Sequence, residues 1–341
     1  MSYEKIFPLV SVCIPTYNRK DYIEQAIKGV LMQQDCDFEI IISDDKSTDH
    51  TLFICEKYTA LYPEKIKLIT QPHNKGVIEN TKECLLACSG KYIAICEGDD
   101  YWIDSLKLKK QTDILELCPD VSMVHSNWVD FYQSEQQFQS RNDSDLFYIC
   151  EHNKGKDSVE EIMMNKYRGI RFSSICFRKE YFLKALEDDQ FFSPHYTTCD
   201  IVFFYELAFQ GILAYQPEAT TVYRIQAESV SISSNIHKKM KFSTGVLHIK
   251  SHFIKKYQLS NSSRDAIFRN SLGGLFVYAL EYRDRKLANE LKELSSNTDY
   301  SMRIGQWLCY YGCKNLFINK IVKFFFKFKD YVQSTRSIKL K

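Results

Sequence analysis

Positions 97–100 read Glu97-Gly98-Asp99-Asp100, directly after the apolar run Tyr92-Ile93-Ala94-Ile95-Cys96. Three carboxylates within four residues repel one another and resist desolvation. At the end of a buried strand they are tolerated when a divalent cation sits among them. A hard cation held by one or two carboxylates keeps positions open for substrate phosphates. Gly98 adds backbone freedom that lets two acids turn toward one point. The cluster points to an enzyme that handles a nucleotide diphosphate. A solvated acidic turn after a strand is the plain alternative.

The elements around the cluster decide between these readings. Leu9-Val10-Ser11-Val12-Cys13-Ile14 is an apolar run stopped by Pro15. Asp21 can cap a helix that carries Ile23, Ala26, Ile27, Val30 and Leu31 on one face. Phe38–Ile42 is a second strand ending at Asp44-Asp45, and a helix from Ser47 or Thr48 runs toward Tyr62. Ile66–Ile69 is a third strand, and a helix spans about Val77 to Cys88 before the strand that leads into the acids. Such alternation with near-continuous apolar strands predicts an α/β fold with a parallel sheet covered on both faces. Ligands bind such sheets beyond the carboxyl ends of the strands. Pro15 to Arg19, Asp44-Asp45 and Asp99-Asp100 all fall at that edge. Their convergence lifts the acidic cluster above a solvated turn.

Further along, Gln133 to Lys156 is polar and reads as a loop or insertion over the site. Phe172–Phe177 reads as a strand, Asp200 to Gly211 as a helix, and Thr220–Arg224 as the last strand of the domain. Beyond about Ser234 the pattern is helical. The domain boundary is therefore placed between 1–234 and a helical region, 235–341.

Composition narrows the function classes. The chain has 341 residues, 45% of them hydrophobic, enough for one large domain and a smaller one. A net charge of only +2 argues against a broad nucleic-acid-binding surface. The 23 Phe and 22 Tyr hint at membrane contact or carbohydrate stacking. None of the 12 Cys forms a CxxC pair, so they read as structural free thiols of a reducing compartment. The N-terminus lacks an apolar signal segment, and no run reaches the ~18 residues of a spanning helix. A cytoplasmic protein is expected.

The C-terminus is distinctive. Leu316 to Phe328 interleaves bulky apolar residues with Lys320, Lys323 and Lys327, and 314–341 carries eight basic residues against Asp330 alone. Basic charge with aromatics on a helix suits an anionic membrane interface. A helix packed on the protein with a wet lysine face is the alternative.

No GxGxxG follows a strand, and no GxxxxGK[ST], HExxH or GxSxG occurs. What remains is three strand-end motifs in order, Val10–Arg19, Ile40–Asp49 and Glu97–Asp100, with Asn74-Lys75-Gly76 and Asn80 between the second and the third. This set resembles the family 2 glycosyltransferases, which have the GT-A fold, a Rossmann-like, mostly parallel sheet sandwiched by helices. The resemblance covers roughly positions 8 to 235.

The resemblance implies a nucleotide-sugar donor, Mn2+ or Mg2+, and an inverting single displacement. Pro15, Thr16, Tyr17 and Arg19 would line the nucleotide pocket. Tyr17 would offer the base an aromatic face and Arg19 would reach the diphosphate. Asp45 would accept from the base or ribose, with Asp44 as fallback, and Asn74 and Lys75 would add donor contacts. Asp99 would touch the ribose or the metal, and Asp100 would ligate the metal. Asp200 matches the family's catalytic base; an ordinary helix N-cap is its alternative. Tyr223-Arg224-Ile225-Gln226 resembles the segment that ends many such domains, with Gln226 at the usual His position. A third protein ligand is therefore in doubt, while Arg224 would still reach the diphosphate. UDP is the expected nucleotide by family habit. The expected acceptor is a glycan or a lipid-linked oligosaccharide in bacterial surface polysaccharide assembly. The expected location is the inner face of the cell membrane, with peripheral contact through the tail. A non-catalytic binding subunit that keeps the fold is the alternative. A nucleotidyltransferase would show a Gly-rich basic loop where this chain has Pro-Thr-Tyr-Asn-Arg.

Overall fold

The computed structural model describes residues 8–140, 154–164, 169–226 and 235–325. The chain divides into two compact units, Met1–Ser234 and Asn235–Lys341. The first unit opens with β1 (Val10–Thr16), α1 (Ile23–Leu31), β2 (Phe38–Asp44), α2 (Thr51–Leu61), β3 (Ile66–Thr70), α3 (Val77–Leu86) and β4 (Tyr92–Ile95). There follow β5 (Tyr101–Trp102), α4 (Lys107–Leu117), β6 (Val121–Tyr132), β7 (Gln137–Ser140) and α5 (Lys156–Met163). The unit ends with β8 (Ile175–Arg178), α6 (Lys179–Ala185), α7 (Asp200–Gln210) and β9 (Ile212–Ile225).

These strands form one sheet in the order β3-β2-β1-β4-β8-β6-β9-β5, with β7 paired on β6. Strands β1, β2, β3, β4, β6 and β9 share one direction; β5, β7 and β8 run against it. The α/β class and the mostly parallel sheet are as the sequence pattern predicts. The sheet is covered on both faces because alternate residues of a strand point to opposite sides. On β1, Val10, Val12 and Ile14 join one cluster with Ile23, Ala26 and Ile27 of α1. Cys13 points the other way and meets Cys88, just past α3, at 3.3 Å between sulfurs. The register aligns Thr16 with Asp44 and Asp44 with Thr70, so three strands end together.

The elements differ from the sequence reading in instructive places. Tyr22, not Asp21, precedes α1, and no side chain caps it. Helix α2 begins at Thr51, because Asp49 bonds the Thr51 N–H and hydroxyl and Lys20 N–H instead of starting a turn. Phe172–Ser174 is a single 3-10 turn that shortens the expected strand to β8. The expected loop from Gln133 includes β7, and residues 141–153 lie outside the described residues. The sequence pattern does not announce β6, although it is the longest strand after β9. Its Ser122 and Ser126 are buried polar residues that interrupt the apolar run. Ser122 donates to the Leu207 carbonyl at 2.7 Å, and Ser126 pairs with the Thr220 hydroxyl at 2.6 Å. Buried hydroxyls satisfied this way are tolerated in a core. The excess of Phe is partly explained by packing: Phe172, Phe177, Phe182, Phe191 and Phe192 all ring Phe203 of α7.

The second unit contains α8 (Ile236–Lys256), α9 (Asn261–Tyr282), α10 (Arg285–Asn297), α11 (Ile304–Lys314) and α12 (residues 316–325). Asn235, Ser260 and Asp284 cap α8, α9 and α10 by accepting from first-turn N–H groups. Helix α9 is central and packs on α8, α10 and α11. Among the described residues no helix is long and apolar enough to cross a membrane.

One buried group gives the fold a measurable pH dependence. His125 of β6 is buried against Tyr215, ring centroids 5.1 Å apart, and neither ring nitrogen has a hydrogen-bond partner among the described residues. Burial lowers its pKa to about 4. Above pH 6.5 both folded and unfolded chains hold it neutral. Below that the unfolded chain takes up a proton that the folded chain refuses until about pH 4. Stability on the order of 3 kcal/mol is lost across that window. We expect His125→Leu to move the acid-unfolding midpoint, followed by circular dichroism, to lower pH. An unmoved midpoint would contradict the assignment.

Candidate active site

The site is built where β1, β2 and β4 end. Asp45 N–H donates to the Thr16 carbonyl at 2.9 Å, which ties the first two strand ends together. Asn80 of α3 braces them from below: its amide donates to the Ser43 carbonyl at 3.0 Å and accepts from the Ser43 hydroxyl at 2.7 Å. The Asp45 carboxylate accepts from Lys75 N–H at 2.7 Å and Gly76 N–H at 2.8 Å. Asn74 donates to the Asp45 carbonyl at 3.3 Å. Gly76 has φ +86, a conformation that favours glycine and lets both amides face one carboxylate.

The acidic turn closes against this frame. Gly98 N–H donates to the Pro15 carbonyl at 3.3 Å, and Asp100 N–H to the Glu97 carbonyl at 3.0 Å. A Cβ on Gly98 would come within 2.6 Å of the Thr16 hydroxyl. Gly98 is thus needed for space. Its φ is not among the positive ones, so the backbone freedom expected from the sequence is not what it supplies. The Glu97 N–H is taken by the Ser173 hydroxyl at 2.9 Å.

Each acid has its own partners. Asp99 Oδ2 meets Arg19 Nε at 3.1 Å and accepts from the Gln226 amide at 3.3 Å. Asp100 is 2% exposed; Oδ1 accepts from Arg224 N–H at 2.9 Å, and Oδ2 is buried with no partner among the described residues. Arg224 is buried as well. Its guanidinium donates to the Asp99 carbonyl, Gln133 and Gln25 and lies 4.6 Å from the Tyr22 ring centroid. Asp200 is the first residue of α7; Cys199 occupies the N-cap, so Asp200 is not the cap. It accepts from the Thr198 hydroxyl and from Ile201 N–H.

These strand ends enclose a cleft of about 310 Å3. Pro15, Thr16, Tyr17, Arg19, Asp45 and Asn74 line it, together with Glu97 and Asp99. Lys75, Asp100, Asp200 and Arg224 are not among its lining residues. Lys75 turns its ammonium to Glu83 at 3.2 Å. Asp44 is fully buried, with Oδ2 accepting from Ser47 N–H.

Electrostatics link the acids that geometry separates. Burial, then Asp100, Asp99 and Asp200, push the Glu97 carboxyl well up. Burial and Asp99 push Asp100 up to about 7, against the Arg224 amide, the neighbouring Ser173 hydroxyl and Arg171; that hydroxyl falls short of hydrogen-bond geometry to Oδ2. Burial also raises Asp200, opposed by Thr198, Ile201 N–H and Arg171. Asp200 thus belongs to the same electrostatic neighbourhood as Glu97. Arg171 is the cation they share, and nothing in its sequence context marks it. Its guanidinium carbon lies 3.7 Å from the Tyr223 ring centroid and 5.1 Å from that of Trp128, with Asp130 at 3.9 Å. Its Nε is buried without a partner among the described residues.

Among the described residues no three His, Cys, Asp or Glu side chains are grouped to hold a metal by themselves. The donor set is smaller: the Asp99 carboxylate and the unpartnered Asp100 Oδ2. Such a set fits a hard dication that completes its shell with water and phosphate oxygens. The Gln226 amide donates to Asp99.

Comparison with known proteins agrees with this architecture. The sequence profile described as "Glycosyl transferase family 2" matches residues 11–182, just over half of the chain. The chain is similar to "Putative teichuronic acid biosynthesis glycosyltransferase TuaG" of Bacillus subtilis, 38% identical over 32% of this chain and 42% of that protein. An "Uncharacterized glycosyltransferase" of Haemophilus influenzae is 28% identical over 86% of this chain and 87% of its own length. The first curated relatives are matched over only about a third of their length, 33%. Among solved structures, Staphylococcus aureus TarS 1–349 in complex with UDP-GlcNAc has TM-score 0.66 and 18% identity, covering 95% of this chain and 92% of that one. Mannosyltransferase PcManGT from Pyrobaculum calidifontis, in complex with GDP-Man and Mn2+, has TM-score 0.55 and 13% identity over 98% and 87%. These likenesses establish the GT-A fold, and with the profile match they place the chain in glycosyltransferase family 2.

Proposed function

We propose that the protein is an inverting glycosyltransferase that moves a sugar from a UDP-sugar to a glycan or lipid-linked oligosaccharide. Its setting is bacterial surface polysaccharide assembly at the inner face of the cell membrane. The observation that carries the reading is the cleft at the ends of β1, β2 and β4, where Tyr17, Arg19, Asp45 and Asp99 face one space. The UDP-GlcNAc complex of TarS, the Mn2+ complex of PcManGT and the polysaccharide role of TuaG's name support it by analogy.

The nucleotide lies along Pro15, Thr16 and Tyr17. The Asp45 carboxylate accepts from the uracil imide, using lone pairs left over from Lys75 and Gly76 N–H. Asn74 and the Lys75 backbone shape this end of the pocket. Arg19 exchanges Asp99 for the diphosphate, because it is the half-exposed cation there. Asp99 and Asp100 would hold Mn2+ or Mg2+, which would neutralise the charge that develops on the departing diphosphate. Arg224 acts from behind, positioning Asp99 and Asp100 through its own backbone and side chain.

The reaction is one displacement. The acceptor hydroxyl oxygen forms a bond to the anomeric carbon as the bond from that carbon to phosphate oxygen breaks. The electron pair leaves with the diphosphate, and the hydroxyl proton passes to Asp200. A base of this kind contributes about 10²- to 10⁴-fold.

Turnover with a panel of nucleotide-sugars and acceptors tests the reading. We expect transfer from a UDP-sugar, with Asp200→Asn slowing it by about 10²-fold or more while UDP binding by calorimetry is kept. Full turnover in that variant would refute the role of Asp200. No turnover with any donor would favour a binding subunit. Arg171 supplies a second test. Its charge helps hold Asp200 ionised, so Arg171→Gln should raise the pH of the acid limb of the kcat/KM profile. An unchanged limb would separate Arg171 from the base.

A further inference from the structure

Helix α12 packs one side on the end of α9, and among the described residues nothing covers the other. Asn319 and Val322, three residues apart, are buried. Asn319 donates to the Leu280 carbonyl at 2.9 Å, and Lys323 to the Glu281 carbonyl at 3.1 Å. Phe317, Ile321, Phe324 and Phe325 are exposed by 71, 40, 68 and 64%. Their spacing gathers them into one stripe on a helix. Helix α11 repeats the pattern, with Ile304, Leu308 and Tyr311 exposed at intervals of four and three. A contiguous stripe of bulky apolar groups left in water marks a contact surface.

Charge selects what covers it. Residues 314–341 contain eight Lys and Arg and one Asp, a net of +7. The rest of the chain then holds 37 basic and 42 acidic residues, a net of −5. Positive charge is thus concentrated on the segment that carries the exposed phenylalanines. A second copy of this chain would set +7 against +7. An anionic bilayer accepts both features, because aromatic rings enter the headgroup region while lysines reach lipid phosphates.

We infer that α12 docks the protein on an anionic membrane surface, with Phe317, Ile321, Phe324 and Phe325 as the inserted groups. This deepens the membrane part of the proposed function, yet it requires no donor, cation or acceptor. Each basic residue close to an anionic leaflet strengthens partitioning about fivefold. Binding should therefore fall steeply with salt.

The test is sedimentation of the full chain with vesicles of phosphatidylcholine alone or mixed with phosphatidylglycerol, at low and high salt. The wild type should pellet with the anionic vesicles at low salt and stay in solution with the neutral ones. The triple variant Phe317→Ser, Phe324→Ser, Phe325→Ser should bind at least about tenfold more weakly. Its melting temperature and its UDP affinity should match the wild type, which excludes misfolding as the cause. Equal binding by the triple variant, or none by the wild type, would overturn the inference. A wild-type dimer in light scattering that the triple variant dissolves, without vesicle binding, would make the face a contact between copies. Neither result touches the transferase reading, whose readout is sugar transfer in solution.

Discussion

Carboxylates crowded at the end of β4 are the constraint on which the rest of the site depends. Glu97, Asp99 and Asp100 stand close together; burial and the neighbouring carboxylates raise the proton affinity of Glu97, and burial with Asp99 raises that of Asp100. An unpaired buried charge costs several kcal/mol, so the surrounding chain is organised to offset it. Three arginines share that task unequally. Arg224 is buried and bonded on all sides, a permanent part of the wall. Arg19 holds Asp99 through a single contact at the cleft surface. Arg171 lies over the Tyr223 ring with its Nε unpartnered among the described residues and its charge felt by Glu97, Asp100 and Asp200. Even so, one oxygen of Asp100 is left without a partner among the described residues. That deficit is what a dication would remove.

The backbone geometry makes the crowding possible. Parallel pairing of β1 with β2 and β4 brings Thr16, Asp44 and the acidic turn to one edge. The missing side chain of Gly98 lets that turn lie against Thr16. Asp45 then draws in the loop that leads to α3 by capturing two successive amides. A carboxylate engaged in this way is structural and still has capacity to meet a ligand, so the two roles do not compete.

Where burial and local pattern coincide, the sequence was readable. Strands β1, β2, β3 and β4 follow apolar runs, and their ends lie within two residues of where those runs stop. The cleft residues Tyr17, Arg19, Asp45 and Asp99 follow from the same strand ends, whereas Asn74 is implied only by the family resemblance. The reading failed where tertiary contacts decide. Strand β6 hides behind Ser122, His125 and Ser126, polar residues whose burial depends on partners up to 94 positions away. Arg224 belongs to a recognisable motif, yet its guanidinium turns into the wall and not toward the cleft. Lys75 lies beside the cleft, but its ammonium goes to Glu83. Arg171 stands in Gly169-Ile170-Arg171-Phe172, which carries no periodicity or spacing that could single it out. The basic aromatic tail is legible as composition. Which side of it is bare became visible only when α9 took Asn319 and Val322, and residues 326–341 lie outside the described residues.

Anomalous diffraction from crystals grown with Mn2+ and UDP addresses the central claim most directly. One strong manganese peak is expected within coordination distance of Asp99 and Asp100, with Arg19 released from Asp99. UDP bound in the cleft with no manganese there, and the Arg19–Asp99 pair intact, would contradict it.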